Sequence, residues 1–129
     1  MHLVRELLQS KPARLITADP QISVAEAMRI MREHTVRSIL LTSDGSLRGI
    51  MTDKDYLRKV AACGGNPHEV RVEEVMTRSV TTITPEDTIQ TCMTLMADHT
   101  LHHLPVVDEG KLVGMVSWTD IMARMLADA

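Results

Sequence analysis

Residues 52–55 read Thr-Asp-Lys-Asp, directly after Gly-Ile-Met and directly before Tyr-Leu-Arg-Lys-Val. Two carboxylates, a hydroxyl and an ammonium within four residues could do several kinds of chemistry. Paired carboxylates exchange protons as general acid and base. Carboxylates and hydroxyls ring a divalent cation. Hydroxyls, backbone amides and an ammonium cradle a phosphate. Asp or Thr ahead of a helix simply caps it. The choice depends on the elements that hold these residues.

Those elements occur twice. With a shift of 65 residues, the segment His34–Asp55 lies on His99–Asp120 without a gap. His34 meets His99, Gly45 meets Gly110, Gly49 meets Gly114 and Asp55 meets Asp120, and upstream Thr17, Pro20, Met28 and Met31 meet Thr82, Pro85, Met93 and Met96. The second copy of the opening motif is Ser117-Trp118-Thr119-Asp120. It keeps the hydroxyl at the first position and the carboxylate at the fourth. Asp53 and Lys54 are local variations, Asp53 being solvent-facing or a local cap.

Each copy reads as β-α-β-β-α. Pro20 disfavours helix at Asp19, so the piece ending there is extended. Ser23 to Glu26 has the spacing of a capping box, and Val24, Ala27, Met28 and Met31 then share one helical face. In the second copy a helix begins at Thr88 and buries Ile89, Cys92, Met93 and Met96. Strands follow at Ser38–Thr42 and Leu104–Val107. Hairpin turns follow at Ser-Asp-Gly-Ser and Asp-Glu-Gly-Lys, where Gly45 and Gly110 supply positive φ. The returning strands are Leu47–Met51 and Leu112–Val116, and final helices run from Tyr56 to about Ala62 and from Ile121 to about Leu126. Gly64, Gly65 and Pro67 end the first of these, and a short helix near Val72 opens the second copy. The expected domains are 1–65 and 66–129, an α/β (α+β) pair packed about a pseudo-twofold axis, since neither copy alone buries enough surface.

Composition narrows the function. The 129 residues suit one module of ordinary globular composition. A net charge of -3 with mixed signs lacks the basic face of a nucleic-acid binder. Aromatics stop at Tyr56 and Trp118, too few for base-stacking platforms, and the ten Met residues supply core bulk instead. Cys63 and Cys92 form no CxxC pair and suit a reducing cytoplasm. The opening residues carry Arg5 and Glu6 and have no long apolar core, so no signal peptide is read there. No apolar run reaches the roughly 18 residues of a membrane span.

The repeated Gly-x-x-(Thr/Ser)-x-x-Asp, Gly49-Ile-Met-Thr-Asp-Lys-Asp55 and Gly114-Met-Val-Ser-Trp-Thr-Asp120, each follows a strand. With "HTLHHLPVVDEGKLVGMVSWTDI" and "VEEVMTRSVTTITPEDTI", these segments resemble a tandem pair of cystathionine beta-synthase-type (CBS) domains, a Bateman module of stand-alone bacterial type. The resemblance covers nearly the whole chain. It implies a cytoplasmic regulatory module that binds an adenine nucleotide (AMP, ADP, ATP or an NAD-type ligand) in the cleft between the repeats. It also implies a homodimer with an unknown regulated protein as partner, and neither an enzyme nor a membrane or nucleic-acid binder. The alternative is an interaction or oligomerisation module with vestigial sites.

A nucleoside phosphate needs acceptors for its cis-diol, donors for its phosphate and an apolar slot for its base. Asp55 and Asp120 can accept from both ribose hydroxyls. Thr52 and Ser117 with Lys54 and Thr119 suit the phosphate, and Lys54 against Thr119 would make the two sites unequal. The family pattern adds Arg37, its counterpart His102, and His103, the counterpart of Ser38, as phosphate ligands, although the imidazoles equally suit a strand entrance. Arg58, beside Lys59, reaches a phosphate or lies on a solvated face. The base slot would draw on Ile16, Thr17, Ile39, Thr81, Thr82, Ile83, Leu104 and Pro105, each of which core packing would also explain. The same Thr/Ser and Asp residues also make ordinary N-caps.

Two other chemistries are set aside. His99, His102 and His103 lack the further ligand and geometry of a zinc site. Ser117, His103 and Asp120 form a hydrolase triad only on paper, without a nucleophile elbow. No metal and no catalytic cofactor are expected.

Overall fold

The structure is a computed structural model that describes residues 2–10 and 15–128. The outer limits of the expected domains, Met1 and Ala129, lie outside these residues. The chain divides into two compact units. The first-repeat unit is Ile16–Val80, and the second-repeat unit joins Thr81–Ala129 to the segment Met1–Leu15. The expected boundary after residue 65 follows the sequence repeat; the compact units follow packing. The segment that opens each repeat packs with the other repeat's strands.

In the first-repeat unit, β1 (Thr17–Ala18) runs parallel to β2 (Ser38–Ser43), and β2 pairs antiparallel with β3 (Ser46–Thr52). Helix α2 (Val24–Glu33) begins at Ser23, whose Oγ accepts the Glu26 amide at 3.1 Å. The expected reciprocal bond from Glu26 is not the one formed. Arg29 stands one turn on and takes the Glu26 carboxylate in an ion pair, so the pairing of opposite charges wins over the neutral amide. Val24, Ala27 and Met31 pack with Ile39, Leu41, Met51 and Val60 in one core. Val72, from the 3-10 turn Val72–Glu74, joins them with Val75 and Met76.

In the second-repeat unit, α4 (Ile89–His99) is capped by Thr88, whose Oγ1 accepts the Thr91 amide at 3.1 Å. Strands β4 (His103–Asp108) and β5 (Lys111–Ser117) form an antiparallel pair, and α5 (Trp118–Asp128) follows. Val4 and Leu7 of α1 (Val4–Gln9) enter a core with Ile89, Cys92, Met96, Leu104, Val106 and Ile121. Ile83 joins β4 through a single parallel bridge to Val106.

Both hairpins turn on two residues with positive φ, Asp44 (54°) with Gly45 (79°) and Glu109 (50°) with Gly110 (80°). That is the mirror-image turn whose twist matches a hairpin; the glycine adopts it freely, and the left-handed strain falls on the acidic residue alone. Both preceding helices end on a left-handed threonine, Thr35 (φ 54°) and Thr100 (φ 53°). The next amide closes back onto the helix, Val36 N–H to Met31 C=O at 3.0 Å and Leu101 N–H to Met96 C=O at 2.9 Å. Glycine usually fills this position; here each repeat uses a β-branched residue.

Candidate functional site

The returning strand of each repeat delivers the motif to the start of a helix. At the end of β3, Asp53 N–H donates to Arg37 C=O at 3.0 Å; at the end of β5, Trp118 N–H donates to His102 C=O at 2.8 Å. Asp55 Oδ2 accepts from Thr52 N–H at 2.9 Å and from Thr52 Oγ1 at 3.2 Å, while Thr52 Oγ1 accepts the Asp55 amide at 3.2 Å. Asp120 Oδ2 accepts from Ser117 N–H at 2.8 Å, and Ser117 Oγ accepts the Asp120 amide at 3.1 Å. The shared device is thus a reciprocal capping box, which ties up one carboxylate oxygen in each repeat.

What surrounds the carboxylate differs between the repeats. Helix α3 (Asp53–Tyr56) continues as a π-helical turn, Leu57–Ala61, rather than the regular helix expected from Tyr56. Lys59 comes back along that turn. Its Nζ lies 3.2 Å from Asp55 Oδ1 and donates to Val75 C=O at 2.7 Å. Thr77 Oγ1 also donates to Oδ1, at 3.4 Å. Thr77 is fixed by paired backbone bonds with Ile50, at 2.8 and 2.9 Å. A methyl group on Gly49 would stand 2.8 Å from Thr77 C=O, so the motif glycine admits this segment. The Asp55 side chain is left 12% exposed.

In the second-repeat unit, α1 takes the place of that segment. A methyl group on Gly114 would meet Leu8 Cδ2 at 2.6 Å. Asp120 borders a cavity of about 270 Å³ with Leu7, Ser10, Ala123, Arg124 and Ala127. Arg124 occupies the position equivalent to Lys59, four residues after the aspartate. Its Nη2 donates toward His2 Nδ1 at 3.2 Å and lies 4.0 Å from Glu6 Oε2. The Leu3 amide, with His2 and Arg124 nearby, holds the Glu6 carboxyl below its usual range.

Thr52 and Asp55 come together in one turn, as do Ser117 and Asp120, whereas Lys54 is exposed. Thr119 Oγ1 meets Ser117 Oγ at 2.9 Å. Arg37, Arg58, His102 and His103 are exposed. Arg37 and His102 serve their turns through backbone carbonyls rather than side chains. Ile39, Ile83 and Leu104 are at most 1% exposed and belong to the hydrophobic cores. Pro105 is buried as well, Ile16 and Thr81 are half-buried, and Thr17 and Thr82 are exposed. Asp53 accepts the Lys54 amide at 2.9 Å, a local cap. Among the described residues no three metal-ligating side chains converge, and no helix is long and apolar enough to cross a membrane.

Sequence reasoning passed over Thr77 and Arg124 and preferred Arg58 to Lys59. The missed signal is a second repeated spacing, Asp-x-x-x-basic at 55/59 and 120/124, which places both charges on one helical face.

The family model described as CBS domain matches twice, over residues 4–62 and 72–127. The mitochondrial CBS domain-containing protein CBSX3 of Arabidopsis thaliana is 33% identical over 109 residues, covering 81% of this chain and 53% of that protein. The chain therefore spans about half the length of that relative. A crystal structure of a CBS domain matches with a TM-score of 0.86 and 32% identity, covering 96% of this chain and 97% of the other. A CBS domain pair solved with 5′-methylthioadenosine and S-adenosyl-L-methionine matches with a TM-score of 0.78 and 30% identity, covering 100% and 99%. Two matches in one chain account for both capping-box turns, and the protein belongs to the CBS-domain family as a tandem pair.

Proposed function

We propose that this CBS pair is a regulatory module that binds an adenosine ligand, an adenine nucleotide such as AMP, ADP or ATP or an NAD-type molecule, at its motif turns. The observation that carries this is the duplicated Gly-x-x-(Thr/Ser)-x-x-Asp turn, in a chain whose full-length structural neighbour was solved with two adenosine compounds. A carboxylate, hydroxyls and nearby cations are the groups a ribose phosphate calls for. The module does no chemistry of its own and works as a homodimer whose ligand-bound state a partner protein reads. Such signalling requires that the ligand prefer one of two states. Free Cys63 and Cys92 suit a reducing compartment such as the cytoplasm.

A second reading is favoured by one observation. Asp55 spends both carboxylate oxygens inside its own unit, which is what a purely structural cap in an interaction module would do. Thermal melting with AMP, ATP, NAD, 5′-methylthioadenosine and S-adenosylmethionine separates the two. The sensor reading expects a saturable rise in Tm with at least one of them, by about 2.7 kcal/mol of added stability at a hundredfold excess over Kd. No shift with any of the five favours the interaction module.

A further inference from the structure

Helix α5 turns an apolar face outward. Four of the six large apolar side chains that stand exposed among the described residues, Trp118, Met122, Met125 and Leu126, lie on it. Counted from Trp118 they stand at i, i+4, i+7 and i+8, the spacing of one helical stripe. Ile121, at the edge of that stripe, is fully buried in the second-repeat core. The charged positions 120 and 124 fall on the far side of the helix, so no acid or base interrupts the stripe.

Two members of the stripe are methionines, and the other methionines among the described residues are placed differently. Met31, Met51, Met76 and Met96 are buried in the two cores, and Met28, Met93 and Met115 are half-buried. Met122 and Met125 are 43% and 49% exposed. They stand one turn apart, and Trp118 stands one turn before Met122. A thioether has no proton to shed, so solvent access rather than ionisation governs its reaction with a hydroperoxide. With hydrogen peroxide the sulfur lone pair attacks one oxygen, and an S–O bond forms as the O–O bond breaks. The sulfur is oxidised by two electrons. The departing hydroxide takes the proton of the transferred oxygen and leaves as water. The product sulfoxide is polar, on a stripe that was apolar. In a core the same change would disrupt packing; on this face the new oxygen points to water.

We propose that Met122 and Met125 form a hydroperoxide-sensitive modification site, at which oxidation to the sulfoxide converts the apolar stripe of α5 into a polar one and leaves both cores intact. This goes beyond the adenosine-ligand reading and does not depend on it. Treatment of the whole chain with hydrogen peroxide, followed by peptide mass mapping, tests it, and Trp118 serves as an optical reporter because it is the only tryptophan. The expected result is sulfoxide at Met122 and Met125 before Met31, Met51, Met76 or Met96, which react only once the chain is unfolded. Circular dichroism and Tm should stay unchanged, binding of an apolar dye should fall, and Trp118 emission should shift to longer wavelength. Methionine sulfoxide reductases should reverse the shift. The double variant Met122→Leu with Met125→Leu conserves volume and so keeps the fold; in it peroxide should leave the emission where it is. Protection of both methionines in the folded chain, core methionines modified equally fast, or unfolding once these two are oxidised would overturn the proposal. So would an emission shift that persists in the double variant, or dye binding that oxidation does not lower.

Discussion

The two motif turns share the same four-residue box, yet their aspartates meet different neighbours: Asp55 contacts Lys59 and Thr77, and Asp120 lies beside a cavity bordered by α1. The difference comes from the opening segments. An irregular stretch offers the Val75 carbonyl and the Thr77 hydroxyl to the first turn. A helix, α1, offers side chains to the second. One family pattern therefore meets different surroundings in the two units, depending on what packs against it.

The comparison is broken most forcefully at the motif glycines. Gly49→Ala puts a methyl group against the fixed Thr77 carbonyl, whereas Gly114→Ala puts it against the free end of Leu8. Overpacking against backbone should cost about 2–3 kcal/mol and against a movable side chain about 1 kcal/mol. Urea unfolding midpoints of the two variants measure this, and equal losses would mean that the segment across Gly49 yields as easily as a leucine.

Next come the carboxylates. Asp55→Ala removes a cap together with the Lys59 and Thr77 contacts and should cost about 2 kcal/mol, more than the roughly 1 kcal/mol of a cap alone. A loss of only about 1 kcal/mol, read from urea unfolding, would show that the Lys59 and Thr77 contacts add nothing to the cap.

The left-handed threonines should behave alike. Thr35→Gly and Thr100→Gly relieve a conformation that costs a residue with a Cβ about 1–2 kcal/mol, partly offset by the greater freedom of glycine in the unfolded chain. Each should raise stability by about 0.5 kcal/mol, read as a small rise in Tm. A gain in one repeat alone would show that the two helix ends are not equivalent.

The smallest contrast is between the thiols. Cys63 is exposed and Cys92 buried, so a thiol reagent should label one cysteine per native chain and both after unfolding. Burial, with Asp87 nearby, pushes the Cys92 thiol up to about 11 from 9.0. The folded chain keeps a proton that the unfolded chain releases, so this contribution is intact below pH 9.0 and is lost as pH rises toward about 11. Cys92→Ala should flatten that alkaline loss, which denaturation at several pH values would follow.

Much of this was legible in the chain because it is local. Thr52 with Asp55 and Ser117 with Asp120 interact across three residues, Ser23 and Thr88 cap the helices they precede, and Gly45 and Gly110 mark hairpins. Glu26 went astray because a local rule met a local competitor, Arg29. The segment pairings were illegible for another reason. No short-range pattern says that Val75 and Thr77 cross the first turn or that Leu7 and Leu8 meet the second, because these contacts are set by packing between elements far apart in sequence. Those segments also supply the partners of Lys59 and Arg124, a difference between the turns beyond the one read from Lys54 against Thr119.

An amide chemical-shift map of the isotopically labelled chain, titrated with AMP and with S-adenosylmethionine, tests the adenosine-ligand reading most directly. The account predicts saturable changes concentrated at the motif turns, in the segments 52–60 and 117–127, with at least one of the two. Saturable changes confined to other segments, or none anywhere in the chain, would contradict it.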